Sequence, residues 1–184
     1  YTVKCWGYNT YGQLGIGSTT TQNSPQTVIF GNNKIPTDLI SSLYASCVVH
    51  NDARVMCWGK NGYWFDNENT GNIAFPTYFS HDFDAKVIEQ SAGNYHTCAV
   101  TNDGTLNCWG RNYAGEIGVG GPTGYLIEYT TPRPVDLGTG RTAVLVSGGE
   151  SHTCAILDEG TLKCWGDNGY GELGLGNSTD QNTP

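Results

Sequence analysis

Three stretches of the chain share one pattern, in which two short apolar runs flank a polar turn. The copy that begins at Cys154 has Asp158-Glu159-Gly160 in its turn. A polar, glycine-containing turn between two apolar runs predicts an antiparallel hairpin. Each copy carries two cysteines ten positions apart, which a symmetric hairpin places face to face across its strands. We therefore expect one disulfide in each hairpin. The expected pairs are Cys47 with Cys57, Cys98 with Cys108, and Cys154 with Cys164.

The hairpins belong to a longer repeat that runs through the whole chain. Trp-Gly pairs begin at positions 6, 58, 109 and 165, so the period is 52, 51 and 56 residues, which is typical of a propeller blade. An asparagine, a polar loop, a proline and a β-branched or aromatic run follow, and three of the four units also have a glycine-rich segment. Each unit offers about four short strands, enough for one blade. We expect a single repeat domain with units at residues 7–58, 59–109 and 110–165 and a partial unit at 166–184.

Composition and charge fit an all-β protein. The 184 residues include 26 Gly and 7 Pro, and only 14% are charged, a balance that suits long helices poorly. The sequence lacks an apolar run of about 18 residues, which argues against direct insertion into a membrane. The net charge of -8 repels a phosphate backbone, so we expect no nucleic-acid partner.

The seventh cysteine points to a longer protein. Cys5 stands in Cys5-Trp6-Gly7, the same tail that closes each of the three pairs, so we expect its partner upstream of Tyr1 and the chain to be a fragment of a longer chain or larger assembly. Persistent disulfides form in oxidising compartments, which predicts a secreted or cell-surface protein. Asn177-Ser178-Thr179 matches the N-glycosylation pattern, so Asn177 is a candidate attachment site.

The repeat resembles the regulator of chromosome condensation repeat. The matching residues include Gly93, His96-Thr97, Asp103-Gly104 and Trp109-Gly110, and again Gly149, His152-Thr153, Gly160 and Trp165-Gly166. The resemblance covers the whole chain and implies a β-propeller of four-stranded blades. About three and a half blades are expected here, as part of a ring of about seven. The paired cysteines are similar to those of extracellular versions of the repeat.

Two aromatic segments are candidate binding sites. The second unit has Tyr63-Trp64-Phe65 where the others have the glycine-rich segment. Successive side chains alternate faces on a strand, so at least one of the three is expected to be exposed. They either fill the space left by the missing glycine contacts or form a binding patch. The third unit has about five extra residues in a loop that carries Tyr125 and Tyr129, and such loops on a rigid scaffold favour recognition of a protein or a glycan.

The search for catalytic chemistry finds no candidate. His96 and His152 occupy one repeat position, which indicates a repeated structural hydrogen bond in preference to a proton-transfer or metal site. Asp52, Asp103 and Glu159 share a turn position and are explained by turn chemistry. The sequence has no nucleophile elbow, no zinc-protease motif, no phosphate loop and no closely spaced C-x-x-C ligands. We expect no enzymatic activity, no catalytic residue, no metal and no cofactor.

Three functions remain open at this point. The favoured hypothesis is a non-catalytic extracellular binding or scaffolding module that presents loops from disulfide-pinned blades to a protein or glycan partner. The first alternative, taken from secreted propellers of this resemblance, is inhibition of a target enzyme by one rim. The second alternative is guanine-nucleotide exchange on a small GTPase, as the resemblance to nuclear members implies. The nucleus and cytosol are reducing, so disulfides would not persist there and the cysteine pairs would have no role. We therefore rank this alternative last.

Overall fold

The structure, a computed structural model, describes most of the chain: residues 2–31, 34–52, 54–60, 71–78 and 86–184. These residues form strands and turns, and none of them lies in a helix, so they contain no helix able to cross a membrane. The chain divides into two compact units, residues 1–82 and 83–184. The strands of the first unit are β1 (Lys4–Gly7), β2 (Gln22–Thr27), β3 (Pro36–Ser41), β4 (Ala45–His50), β5 (Val55–Gly59) and β6 (Ile73–Tyr78). Those of the second unit are β7 (Val87–Ala92), β8 (His96–Thr101), β9 (Leu106–Arg111), β10 (Glu128–Pro134), β11 (Ala143–Gly148), β12 (His152–Leu157) and β13 (Leu162–Gly166).

Consecutive strands pair antiparallel in both units. In the first unit, β1 pairs with β2, and β3 to β6 form a four-stranded sheet in chain order. In the second unit, β7 to β10 form another four-stranded sheet, and β11 to β13 form a three-stranded one. Gln181 extends the three-stranded sheet by a single bridge to Gly166, at the repeat position where β10 pairs with Gly110 in the preceding sheet.

The sheets are offset from the sequence units. The four strands of one sequence unit do not form one sheet. After each of the first three Trp-Gly pairs the chain passes through a loop, and the next strand pairs with the strand that carries that Trp-Gly pair. Thus β6 pairs with β5 and β10 pairs with β9, although each comes from the next sequence unit. A strand joined by a loop pairs most simply with its chain neighbour, and this pairing covers an otherwise open edge.

The three expected hairpin disulfides are present. The paired cysteines stand directly opposite each other in the hairpins β4-β5, β8-β9 and β12-β13, with Cα atoms 4.1 Å apart in each case. This short spacing is that of a non-hydrogen-bonded antiparallel pair, the position that brings side chains closest. Cys5 in β1 forms no disulfide among the described residues, and burial raises the pKa of its thiol.

Buried asparagines hold the loops at the ends of the sheets. The Oδ1 of Asn112 accepts a hydrogen bond from the backbone N–H of Ile117 at 3.2 Å, and its Nδ2 donates to the Pro122 carbonyl at 3.0 Å. One buried side chain thereby joins both branches of a long loop, and its polar atoms are satisfied. Asn9 and Asn168 act in the same way at equivalent positions. These loops are firm supports for the side chains that they carry.

A single carbonyl group joins neighbouring sheets in the second unit. The Glu116 carbonyl oxygen accepts hydrogen bonds from Trp165 Nε1 at 3.0 Å and from Thr153 Oγ1 at 2.8 Å. Thr153 Oγ1 also lies 2.8 Å from His96 Nε2. Since the one hydroxyl proton of Thr153 goes to the carbonyl, the neutral His96 ring donates from Nε2. In the first unit the Gln13 carbonyl accepts from Trp58 Nε1 and Ser46 Oγ.

Trp58 and Trp165 therefore each tie a sheet to the loop before it, and they do so inside an apolar core. Trp165 is fully buried in a cluster with the Cys98–Cys108 disulfide and Ile117, and Trp58 is fully buried with Val48 and other apolar residues. The rigid sheets leave their loop-bearing ends as the places where side chains can meet a partner.

Candidate functional site

The two ends of each four-stranded sheet differ in chemistry. In the second unit, one end carries the turn between β7 and β8 and the loop after β9, and the other carries the tight turn between β8 and β9. Three tyrosines and an arginine gather at the first end: Tyr95, Arg111, Tyr113 and Tyr125. We call this group the Tyr–Arg cluster.

Arg111 is at the centre of the Tyr–Arg cluster. Its guanidinium carbon lies 4.2 Å from the ring centre of Tyr125 and 5.2 Å from those of Tyr95 and Tyr113. The rings of Tyr113 and Tyr125 meet edge to face, with centres 6.5 Å apart and planes at 88°. A cation over several aromatic faces is held by their quadrupoles, so the arginine is fixed on a tyrosine platform. Tyr125 is nevertheless 71% exposed and Tyr113 is 50% exposed.

Arg111 forms no ion pair with a carboxylate in the described part of the chain. Its Nε is buried and has no hydrogen-bond partner there, and the guanidinium forms no ion pair with a described carboxylate. Glu128 stands opposite Arg111 in the β9-β10 pair. Partial burial raises the pKa of Glu128, and the positive charge of Arg111 only partly offsets this rise. Arg111 is thus a cation without a direct anionic partner among the described residues.

The first unit repeats the arrangement with a lysine. We call Tyr8, Tyr11, Tyr44 and Lys60 the Tyr–Lys cluster. Lys60 Nζ lies 5.2 Å from the ring centre of Tyr11 and 5.0 Å from that of Tyr44, and the two rings meet edge to face at 5.1 Å. Tyr8 joins through Tyr11, with ring centres 6.3 Å apart, and is 55% exposed. Lys60 and Arg111 both follow a Trp-Gly pair, so one repeat position supplies both cations.

Two cations at the opposite ends of the sheets, Lys34 and Arg141, are paired with carboxylates. Lys34 pairs with Asp52, and Arg141 pairs with Glu159 and lies 3.5 Å from Asp158. The bond to Lys34 lowers the pKa of Asp52. Tyr78 lies at this end of the first sheet, with Lys34 Nζ and the Arg54 guanidinium carbon each 5.4 Å from its ring centre. The two kinds of end therefore differ in the ion pairs of Lys34 and Arg141, and not in the presence of tyrosine.

The acidic turn residues have local roles, in keeping with the turn chemistry expected for them. Asp103 Oδ1 accepts hydrogen bonds from the Thr101 hydroxyl at 2.7 Å and the Thr105 backbone N–H at 3.0 Å. The bond from the Thr101 hydroxyl is the chief cause that lowers the pKa of Asp103.

The histidines do not form a reactive site among the described residues. Burial, with a smaller effect of the nearby His152, lowers the pKa of His96 to about 3, so its ring stays neutral and bonded to Thr153. His50 is buried against Phe30, and burial lowers its pKa as well. No group of three histidine, cysteine, aspartate or glutamate side chains in the described ranges could hold a metal ion.

The candidate site residues predicted from the sequence differ in their contacts and in whether the structure describes them. Tyr125 belongs to the Tyr–Arg cluster, whereas Tyr129 lies in β10, packs partly buried against the core and has Arg133 over its ring at 5.7 Å. Asn177 is exposed, and its Oδ1 accepts from the Thr179 backbone N–H at 2.9 Å. Tyr63, Trp64 and Phe65 lie outside the described residues.

Sequence reasoning missed most members of both clusters. The one repeated signal was a cation directly after Trp-Gly at Lys60 and Arg111, with a tyrosine directly before β4 or β8 at Tyr44 and Tyr95. These positions are not contiguous, and only the antiparallel pairing brings them to one end of a sheet.

Similar proteins share both the sequence repeat and the fold. The Ultraviolet-B receptor UVR8 of Arabidopsis thaliana is 29% identical over 181 residues, which are 97% of this chain and 40% of that protein. Human WBSCR16 superposes on 100% of this chain with a TM-score of 0.85 and 23% identity, over 47% of its own chain. Yeast RCC1 (Prp20), solved bound to Kap60, superposes on 100% of this chain with a TM-score of 0.82 and 21% identity, over 44% of its own chain. This chain spans less than half the length of each.

Two profiles of one repeat family match most of the sequence. One profile of the Regulator of chromosome condensation (RCC1) repeat matches residues 3–47 and 103–156, and a second matches residues 89–116 and 143–172. The fold class expected from the sequence, an all-β propeller of four-stranded blades of which only part is present, is confirmed by the antiparallel sheets and the structural relatives. The chain belongs to the regulator of chromosome condensation repeat family.

Proposed function

We propose that the chain is a non-catalytic, extracellular binding module that contacts a partner protein through the tyrosine-bearing ends of its blades. The single observation that carries the proposal is the contrast between the two ends of the sheets. At the hairpin-turn ends Lys34 and Arg141 are paired with carboxylates, whereas the other end of the β7-β10 sheet presents three tyrosines and Arg111, which has no direct anionic partner in the described structure. Tyrosine and arginine are the residue types that dominate binding energy at protein interfaces.

Exposure supports the same end of the second unit as the contact surface. Tyr125 is followed by Leu126, which is 86% exposed, and Tyr113 adds a further half-exposed ring. The buried Asn112 holds the loop that carries these side chains, so little conformational freedom is lost when a partner binds. An exposed leucine beside two tyrosines suits a protein surface better than a carbohydrate, which offers few apolar groups.

The three disulfides support an extracellular location. Each closes a ten-residue step within one hairpin, and such bonds persist where the surroundings are oxidising. A disulfide in each of three blades also suits a secreted protein that must stay folded outside the cell. Enzyme inhibition and nucleotide exchange remain alternatives without an observation in this chain that favours them.

A relative gives a precedent for binding proteins with this fold. Yeast RCC1, which shares this fold, was solved bound to the protein Kap60. Which face is used in this chain rests on the tyrosine clusters alone.

The test is a cross-linking experiment on the intact chain with its disulfides formed. The immobilised protein is exposed separately to secreted and surface proteins and to intracellular proteins of its source, and cross-linked residues are identified by mass spectrometry. We expect one partner from the secreted or surface fraction, with cross-links close to Tyr125, and loss of that partner in a Tyr113→Ser, Tyr125→Ser double variant.

Glu159→Gln is the matched control, because it changes an exposed residue at the opposite end of a sheet. Cross-links that cluster around Glu159, or a partner retained equally by the double variant, would contradict the proposed surface. A partner found only in the intracellular fraction would contradict the proposed location.

A further inference from the structure

We propose that the Tyr–Arg cluster is a carboxylate-binding site that takes a glutamate or aspartate side chain of an acidic segment on the partner protein. The inference rests on the proposed function, since it names the chemistry that the partner must offer to that surface. Arg111 supplies the hydrogen bonds, and the three tyrosines fix its orientation.

The first support is the unmet donor capacity of Arg111. A guanidinium carries five N–H donors in a planar fork that fits the two oxygens of a carboxylate. In the described structure the Arg111 Nε is buried without an acceptor, and the partly exposed side chain forms no ion pair. The outer N–H groups of the fork are therefore the donors that a carboxylate from a partner would meet.

The second support is the contrast with arginine and lysine at the opposite ends. Arg141 bonds Glu159 and Lys34 bonds Asp52, so the chain supplies a carboxylate to those cations. Arg111 has Glu128 opposite it across β9 and β10, yet the two form no ion pair. Arg111, the cation of the Tyr–Arg cluster, is thus left available to a carboxylate from a partner.

The third support is that the site is prearranged. Three tyrosine rings within 5.2 Å of the guanidinium carbon restrict its movement, and two of those rings also contact each other. Arginine ordinarily loses much rotamer freedom on binding, so a stacked side chain binds a carboxylate at a lower entropic cost. The rings also limit access of water to the guanidinium face, which strengthens a charge-assisted hydrogen bond.

Charge and exposure favour an acidic protein segment as the occupant. The chain as a whole carries a net charge of -8, so an acidic ligand must be attracted locally, and the fork of Arg111 provides that local attraction. The exposed Leu126 and Tyr125 provide apolar contact beside the fork. An acidic sugar would satisfy the fork but would leave Leu126 uncovered.

The test measures binding of defined probes to the intact chain by fluorescence anisotropy at low salt. The first probe is a fluorescein-labelled peptide of glutamate, leucine and glycine. The second has glutamine in place of every glutamate, and the third is labelled oligosialic acid. We expect the glutamate peptide to bind about tenfold or more tightly than the glutamine peptide, the range given by a charge-assisted hydrogen bond.

Three variants assign the binding to the fork of Arg111. Arg111→Gln is expected to weaken binding of the glutamate peptide about tenfold or more, and Arg111→Lys, which keeps the charge but loses the fork, is expected to recover only a small part. Arg133→Gln removes an equal charge from exposed Arg133 in β10 and is expected to leave the affinity within about twofold. The side-chain Nε–H signal of Arg111 in NMR spectra should shift as the glutamate peptide is added.

Several results would overturn the inference. These are equal binding of the glutamate and glutamine peptides, equal effects of Arg111→Gln and Arg133→Gln, full recovery by Arg111→Lys, or stronger binding of oligosialic acid than of the glutamate peptide. Failure of the proposed function is a separate outcome. If the Tyr113→Ser, Tyr125→Ser double variant loses the cross-linked partner and Arg111→Gln keeps it, the surface stands and the carboxylate site does not.

Discussion

Replacing Thr153 with valine tests the hydrogen-bonded joint that connects neighbouring sheets. The hydroxyl of Thr153 is fully buried, donates to the Glu116 carbonyl and accepts from His96 Nε2, both at 2.8 Å. Valine has nearly the same shape but neither bond. The Glu116 carbonyl keeps the bond from Trp165 Nε1, whereas the Nε2 donor of His96 loses its described partner.

The expected cost follows from those two bonds. A net hydrogen bond contributes about 0.5–1.5 kcal/mol, and a buried donor left without a partner costs about 1–3 kcal/mol. We therefore expect Thr153→Val to lower the free energy of unfolding by about 2–3 kcal/mol. The measurement is equilibrium urea unfolding at pH 7 with the disulfides intact, followed by tryptophan fluorescence.

Thr97 provides a matched control at the same repeat position. It pairs with Trp109 as Thr153 pairs with Trp165, and it is equally buried, but its Oγ1 has no partner among the described residues. Thr97→Val is expected to change the free energy of unfolding by less than about 0.5 kcal/mol, or to raise it slightly, because it removes an unsatisfied buried hydroxyl. Equal losses in the two variants would refute the assignment of the joint to this hydroxyl.

Three further predictions concern the glycines, the disulfides and pH. Gly118→Ala should lower the free energy of unfolding by more than about 3 kcal/mol, because a Cβ would lie 2.4 Å from the indole nitrogen of Trp165. Gly174→Ala, at the same repeat position, meets open space and should lower it by about 1 kcal/mol, because the residue has a positive φ of 69°. Urea unfolding compares the two variants. Replacing Cys98 and Cys108 together with alanine should lower the free energy of unfolding by about 2–3 kcal/mol through loop entropy, and equal stability before and after reduction of the wild type would contradict this. His96 has a pKa of about 3 in the folded state and about 6.5 in the unfolded state, so the unfolded state binds an extra proton as the pH falls. The free energy of unfolding should therefore fall by about 2 kcal/mol between pH 7 and pH 5. A His96→Asn variant with the same pH dependence would contradict the role of this ring.

The hairpins and their disulfides could be predicted from sequence because their geometry is local. Ten positions between Cys98 and Cys108, with a turn in the middle, leave few ways to pair the strands, and the structure places the two cysteines directly opposite each other. The Trp-Gly repeat likewise predicted a series of similar sheets, and Trp58 and Trp165 each bond the carbonyl of the loop before their sheet.

The membership of the sheets and the binding clusters could not be predicted in the same way. Assigning β6 to the sheet of β5 requires knowing which edge stays open after the hairpin forms, and the repeat period is the same for either assignment. Tyr95 lies in the turn before β8 and Arg111 is the last residue of β9, so their contact depends on the β8-β9 register. Thr97 and Thr153 have identical sequence surroundings at His-Thr-Cys, yet only the structure shows that the Thr153 hydroxyl is bonded, whereas that of Thr97 has no partner among the described residues.

Peptide mapping of the native protein by mass spectrometry, without reduction, tests whether the chain is a disulfide-pinned extracellular propeller. We expect linked peptides joining Cys47 to Cys57, Cys98 to Cys108 and Cys154 to Cys164, with no linkage between different hairpins. Free thiols at these six positions, or bridges between different hairpins, would contradict both the pinned blades and the oxidising location.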